Sequence, residues 1–301
     1  IANNYGVHVL SAANNVIGGT TAAARNVVSG NTLDGIYMSG APTTGTLVQG
    51  NYFGTNVAGT AAVGNGRYGV YLVNSATANT IGGATNGAGN VISGNLSTGV
   101  YINAPSNTFS GNIIGLNSAG TAKIANASFG VYVTSVGTGT VIGGTTSSER
   151  NIISGNSSDG IVVDGGGSIT AMNAAIQGNY IGTDITGTFA LSNTRYGIYL
   201  FNAAAGNTIG GAISGAGTVI AGNASQGVNI EGIDNVVAGN TVGLNAAGTA
   251  AVANSGGVNI NNVAGNTIGG TTALARNVIS GNTNDGISIS GASATGNLVQ
   301  G

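Results

Sequence analysis

No cysteine occurs in the 301 residues, so neither a disulfide frame nor a thiolate metal site can hold the fold. Tryptophan is absent and aromatic residues make up only 5%, which leaves any core to Val, Ile, Leu and Ala. Charge is scarce, with six basic and eight acidic side chains and a net of −2. This excludes a charged disordered tail, and it excludes the basic footprint that nucleic-acid binding requires. No apolar run could span a membrane, because Gly, Asn or Thr interrupts each within a few residues. No secretory leader is recognisable, so an export signal is expected to lie outside the sequence. There are only two prolines, and the 57 glycines follow no three-residue period, which excludes collagen and points to many tight turns.

What is present is a repeat. Glycine, a β-branched residue, a variable residue and an apolar residue recur ten times, beginning at Gly6, Gly35, Gly69, Gly99, Gly130, Gly160, Gly197, Gly227, Gly257 and Gly286. The intervals run from 29 to 37 residues, the period of a solenoid. Alternation within the phrase sends Val70 and Leu72 to one side and Tyr71 to the other. The inward pair returns as Ile36/Met38, Val100/Ile102, Ile198/Leu200 and so on, an apolar column that a strand repeat needs. Helix-forming stretches are nearly absent, and β-branched residues with turn formers dominate.

Two kinds of period alternate. One carries Ile-Gly-Gly (Ile17, Ile81, Ile142, Ile209, Ile268) followed by Asn-Val-Ile-Ser-Gly-Asn or a near copy; the other carries Val-Gln-Gly-Asn-Tyr-Phe-Gly-Thr-Asn, as at 48–56. Arg25, Arg150 and Arg276, with Asp34, Asp159 and Asp285, mark a longer echo of four periods. The phrases Gly-Ile-Tyr-Met, Asn-Val-Ile-Ser-Gly-Asn and Leu-Val-Gln-Gly-Asn resemble right-handed parallel β-helix repeats of the pectate-lyase-like superfold. In particular they resemble the arrays of large bacterial surface and secreted proteins. The resemblance implies an all-β, right-handed parallel β-helix of about ten coils, one segment over 1–301. Its first residues, Ile1 to Gly6, match 252–257, and Leu298-Val299-Gln300-Gly301 matches 47–50, so both ends are expected to be uncapped and to continue into an array or meet other copies.

Candidate sites follow from stacking like on like. Asparagines after glycine, among them Asn31, Asn95, Asn156, Asn223 and Asn282, are expected to form amide ladders. The outward residue of the repeated strand is Tyr37, Tyr71, Tyr101, Tyr132 and, after Val162, Tyr199. This stripe could stack sugar faces or pack against another rod, or serve stability alone. Asp34, Asp159 and Asp285 lie too far apart for a carboxylate pair, and a surface ion pair with the arginine of the same coil, or a solvated corner, is expected. The superfold's clustered calcium-binding acids and its Gly-His-Gly motif are missing, and His8 is the sole histidine. No catalytic residue, metal or cofactor is therefore expected. The sequence points to a non-enzymatic extracellular or cell-surface rod or filament whose partners are further copies of itself. A sugar-binding adhesin using the Tyr stripe, and a fragment of a polysaccharide-active β-helix enzyme with its catalytic residues elsewhere, are the alternatives.

Overall fold

The computed structural model describes residues 2–168 and 170–301; Ile1, which begins the comparison of the two ends, lies outside the described residues. The chain is a parallel β-helix of ten coils. Each coil contributes one strand to a first sheet, running from Val7–Leu10 to Ile287–Ser290, and one to a second, running from Val16–Gly18 to Leu298–Gln300. Nine coils add a two-residue strand to a third sheet, such as Val91–Ile92. All pairings within these sheets are parallel and in coil order; Val70 lies between Ile36 and Val100 as the repeat requires. Coil spacing is that of hydrogen-bonded strands, ~4.8 Å.

Alternation decides what is buried. Ile36, Met38, Val70, Leu72, Val100 and Ile102 from the first sheet are buried, together with Ile81, Phe109 and Ile142 from the second and Phe53, Ile92 and Ile114 from the third. They form one apolar cluster that runs from Val9 to Ile268. Each buried aliphatic side chain contributes on the order of 2 kcal/mol, so the column rather than any single coil holds the fold.

Glycine is required where coils approach. Gly82 of the Ile-Gly-Gly phrase has φ +92°, and a Cβ there would sit 1.9 Å from the Ser110 carbonyl oxygen. The Asn of Ser-Gly-Asn then turns inward. Asn31, Asn95, Asn156, Asn223 and Asn282 lie in a single ladder, and Asn65, Asn126, Asn193 and Asn254 fill the places between them. Their side-chain amides bond at 2.8–3.0 Å from coil to coil. A second ladder runs through Asn51, Asn90, Asn112, Asn151 and Asn179.

The second kind of period adds a fin. Its Gly-Thr-Ala turns, Gly-Thr-Phe at 187–189, close antiparallel bridges at Thr55–Ala62, Leu116–Lys123, Thr183–Ala190 and Leu244–Ala251. Backbone bonds from Ser118 to Gly59, Ile185 to Gly120 and Ala246 to Gly187 link these turns, each 2.9 Å. The longest coil holds the Gly165-Gly166-Gly167 insertion, and there Thr170–Ala171 pairs with Ala204–Ala205 as a small extra sheet.

Candidate functional site

The outward face of the first sheet carries the aromatic stripe. Rings of Tyr37, Tyr71, Tyr101 and Tyr132 follow one another at centroid separations of 5.2–5.4 Å. Tyr68 stacks on Tyr101 at 4.6 Å and Tyr5 on Tyr37 at 4.7 Å. Along this half the rings occupy one another's faces. The stripe is half-buried rather than exposed, and Tyr199 is buried. His8 belongs to the same aromatic packing, between Tyr5 and Tyr37.

Val162 breaks the ladder. It replaces a tyrosine between Tyr132 and Tyr199, with Cα partners Tyr132 on one side and Tyr199 on the other. The missing ring leaves a cleft of about 470 Å³. Val162, only 1% exposed, lies at its floor; Tyr101, Phe129 and Tyr132 stand on one side, Tyr199 and Phe201 on the other. A volume within ~300–1,000 Å³, apolar walls and a few polar groups are the features of a small-ligand site.

The polar groups are of two kinds. At one corner Asp159 is buried, accepts a 2.8 Å bond from the Tyr196 amide and meets Arg195 through one 3.3 Å contact. Burial raises the Asp159 carboxyl above its ordinary range, against the lowering effects of the Tyr196 amide and the Arg195 charge. Outside the lining, two tyrosines of the cleft walls each hold a carboxylate. Tyr132 donates its hydroxyl to Asp164, and Tyr199 donates to Glu231 at 2.8 Å. Burial and the adjacent carboxylate push both phenols up, and burial pushes Tyr68 up to about 12.

Two expectations change here. Asp34 and Asp159 are buried, not solvated corners, and their partners come from the next coil: Arg67 grips Asp34 through two bonds of 2.9 and 2.6 Å, and Arg195 faces Asp159. Arg25 and Arg150 do not pair with acids; they lie over Tyr52 and Tyr180 at 4.1 and 4.0 Å. Asp285, without these neighbours, is exposed. In-register stacking is the cause, because it sets a residue beside its counterpart about thirty positions away rather than beside its own coil's corner. Asp164 and Glu231 stand in the sequence as remaining acids without a partner; the Tyr132 and Tyr199 hydroxyls supply one for each. The signal was present: each stands four residues after the repeat glycine, at Gly160 and Gly227, as Phe201 does after Gly197.

Among the described residues no three metal-ligating side chains gather, and no helix is long and apolar enough to cross a membrane.

No family model matches the sequence, and no curated protein matches it. Among solved structures, the chain is similar to the A-module of Azotobacter vinelandii mannuronan C-5 epimerase AlgE4. Identity is 17% over 92% of this chain and 88% of that one, with a TM-score of 0.42. The A-module of the AlgE6 epimerase from the same organism is 19% identical over 92% of this chain and 75% of that one, with a TM-score of 0.31. At these identities the likeness is one of fold. Both neighbours are nevertheless modules of an enzyme, and the expectations of a non-enzymatic rod and of a chain without enzymatic character are corrected on that finding.

Proposed function

We propose that this chain is a polysaccharide-active β-helix module that holds a sugar chain in the cleft between Tyr132 and Tyr199. The break in the aromatic ladder at Val162 carries the reading. A pyranose presents an apolar C–H face and a polar rim, and the cleft offers aromatic walls with charged groups at its edges. Four coils of rings, edge-to-face from Tyr37 to Tyr101 and stacked from Tyr101 to Tyr132, fix Tyr101 and Tyr132 before any ligand arrives, which lowers the ordering cost of binding. A polymer is met outside the cell, so on this reading the chain works at the cell surface or beyond it. The remainder of the tyrosine stripe, Tyr37 and Tyr71, serves as the buttress of the cleft.

The test is to refill the gap. Val162→Tyr restores the ring that neighbouring coils carry, and the position tolerates Tyr elsewhere in the repeat. Affinity electrophoresis of the full chain through gels containing α- or β-glucan, mannan, xylan or polyuronate is expected to show retardation for the parent. In the variant, affinity is expected to fall at least ~100-fold, about 2.7 kcal/mol. Equal retardation of both proteins, or none with any polymer, would count against the cleft.

A further inference from the structure

We propose that a notch over Gly111 is a guanidinium site, filled by an arginine side chain of another protein or by a small guanidinium compound. The notch lies where the chain turns from the second sheet to the third, and it shares no lining residue with the cleft at Val162. The chain itself supplies the template. Coils of the first kind carry a loop after Ile-Gly-Gly, whereas coils of the second kind run straight into Gly-Asn, at Gly50, Gly111, Gly178 and Gly239. Two of these glycines are capped from within. Arg25 donates Nε to the Gly50 carbonyl at 3.1 Å and lies over the Tyr52 ring at 4.1 Å. Arg150 does the same at Gly178 and Tyr180, at 3.2 and 4.0 Å. Gly50 and Gly178 are buried.

Over Gly111 the plug is missing. Gly89 stands where Arg25 and Arg150 stand, and Ile113 where Tyr52 and Tyr180 stand. Gly217 and Thr241 repeat the exchange, so arginine and tyrosine occur here together or not at all. The backbone keeps its shape, with φ +72° at Gly111 against +66° at Gly50 and Gly178. What remains is a cavity of about 340 Å³, within the ~300–1,000 Å³ of small-ligand sites. Gly111 is partly exposed, and its carbonyl accepts no hydrogen bond among the described residues. Such a carbonyl calls for a donor. Residue 89 cannot supply it as residues 25 and 150 do, because a Cβ there would stand 1.9 Å from the Gly111 oxygen. The donor has to come from outside.

The walls select a guanidinium among donors. The floor, Ile113 and Ile152, is apolar, which suits the weakly hydrated face of a guanidinium better than a strongly hydrated ammonium. Hydroxyls of Thr85 and Ser147 line the rim and accept the N–H groups that the carbonyl leaves over. An oxyanion would instead set oxygen against the Gly111 oxygen. Arg150 is the one cation in the lining, and its guanidinium is spent on Gly178 and on Tyr180, two coils from Ile113 and thus ~9.6 Å along the rod. Next to it in sequence, Glu149 supplies the opposite charge, its carboxylate held by the Thr145 and Thr146 amides and the Thr146 hydroxyl.

The experiment titrates the full chain by calorimetry and ligand-observed proton NMR. The probes are agmatine, the peptide acetyl-Gly-Arg-Gly-amide and its lysine counterpart. Saturable binding of the guanidinium probes is expected, at least ~10-fold tighter for the arginine peptide than for the lysine one. A peptide that outbinds agmatine assigns the occupant to another protein's arginine, and the reverse order to a small guanidinium compound. Ile113→Tyr gives the notch the ring that its siblings have, and affinity should rise about 2- to 30-fold. Ser148→Lys sets a like charge at an exposed place on the rim and should lower affinity about 5-fold, with the parent's circular dichroism retained. No saturable binding of either guanidinium probe, equal binding of the two peptides, or a loss of affinity in Ile113→Tyr would overturn the assignment. So would displacement of the probes by inorganic phosphate, or tighter binding in Ser148→Lys, since both would mark the notch as an anion site.

Discussion

Two stretches of the same design lie four coils apart, and they have been put to different use. Around Gly35–Asn103 the outward face reads Tyr37, Tyr71, Tyr101 and Ser39, Val73, Asn103; around Gly160–Glu231 it reads Val162, Tyr199, Asn229 and Asp164, Phe201, Glu231. The inward face barely changes: Ile36, Val70 and Val100 answer to Ile161, Ile198 and Val228, and all six are buried. In a solenoid each coil touches only its neighbours, so the outward positions of one block vary without disturbing the core of another. The first block closes its face with rings packed on rings. The second opens it. A site in such a fold is a local exception to a ladder, and it is found by asking which rung is missing.

If that division between shared interior and divergent face is right, breaking the interior should cost the same in both blocks. Asn95 and Asn223 are equivalent rungs, both buried and each bonded to the next asparagine through its amide nitrogen and its side chain. Asn95→Ala and Asn223→Ala each remove those rung bonds and leave buried groups of the adjoining coils unpaired. We expect each to lower stability in urea by about 3 kcal/mol, with the two within about 1 kcal/mol of each other. A cost confined to one block would mean that the ladders are not equivalent scaffolding.

The ladder also shows what the sequence made legible. Glycine followed by strict alternation announced the first sheet, since burial on one face of a strand fixes register and a one-residue slip would expose Val70 and Leu72. The Asn columns followed because in-register stacking sets like on like. The cleft was legible in the same alignment, where Val162 interrupts the tyrosines. Asp164 and Glu231 lie past the cleft's lining, at and just beyond the strand's end, whereas the sequence draws attention to the acids at the corner before the glycine, the place of Asp34 and Asp159. The ion pairs were assigned within a coil because Arg25 and Asp34 are near in sequence. Arg25 is instead taken up by the Tyr52 ring and the Gly50 carbonyl, and nothing local in the sequence announces an interaction with the following coil.

A smaller difference separates the two Asp–Arg corners. Arg67 is 36% exposed and engages both oxygens of Asp34, whereas Arg195 is 50% exposed and reaches Asp159 once, at 3.3 Å. Two short charge-assisted bonds hold more than one long one. Arg67→Met is therefore expected to cost about 3 kcal/mol and Arg195→Met about 1 kcal/mol, by urea denaturation. Equal costs would erase the distinction between a closed corner and an open one.

The open corner should also register in the dependence of stability on pH. Burial holds the Asp159 carboxyl above its ordinary range, and the Tyr196 amide and Arg195 only partly offset it. The folded protein thus keeps this proton after the unfolded chain has released it. A carboxyl raised in this way contributes stability that is fully present below the unfolded value, ~3.9, and is lost as pH rises through the higher folded value. Asp159→Asn removes the titration and leaves the other carboxylates, including Glu149 and Asp184, whose hydrogen bonds lower them and give the opposite slope. The stability of the parent minus that of the variant should therefore fall as pH rises above about 4, and level off once Asp159 is ionised in both states. A difference that instead grew with pH would mean that Arg195 outweighs burial, and that this corner is closed as tightly as the one at Asp34.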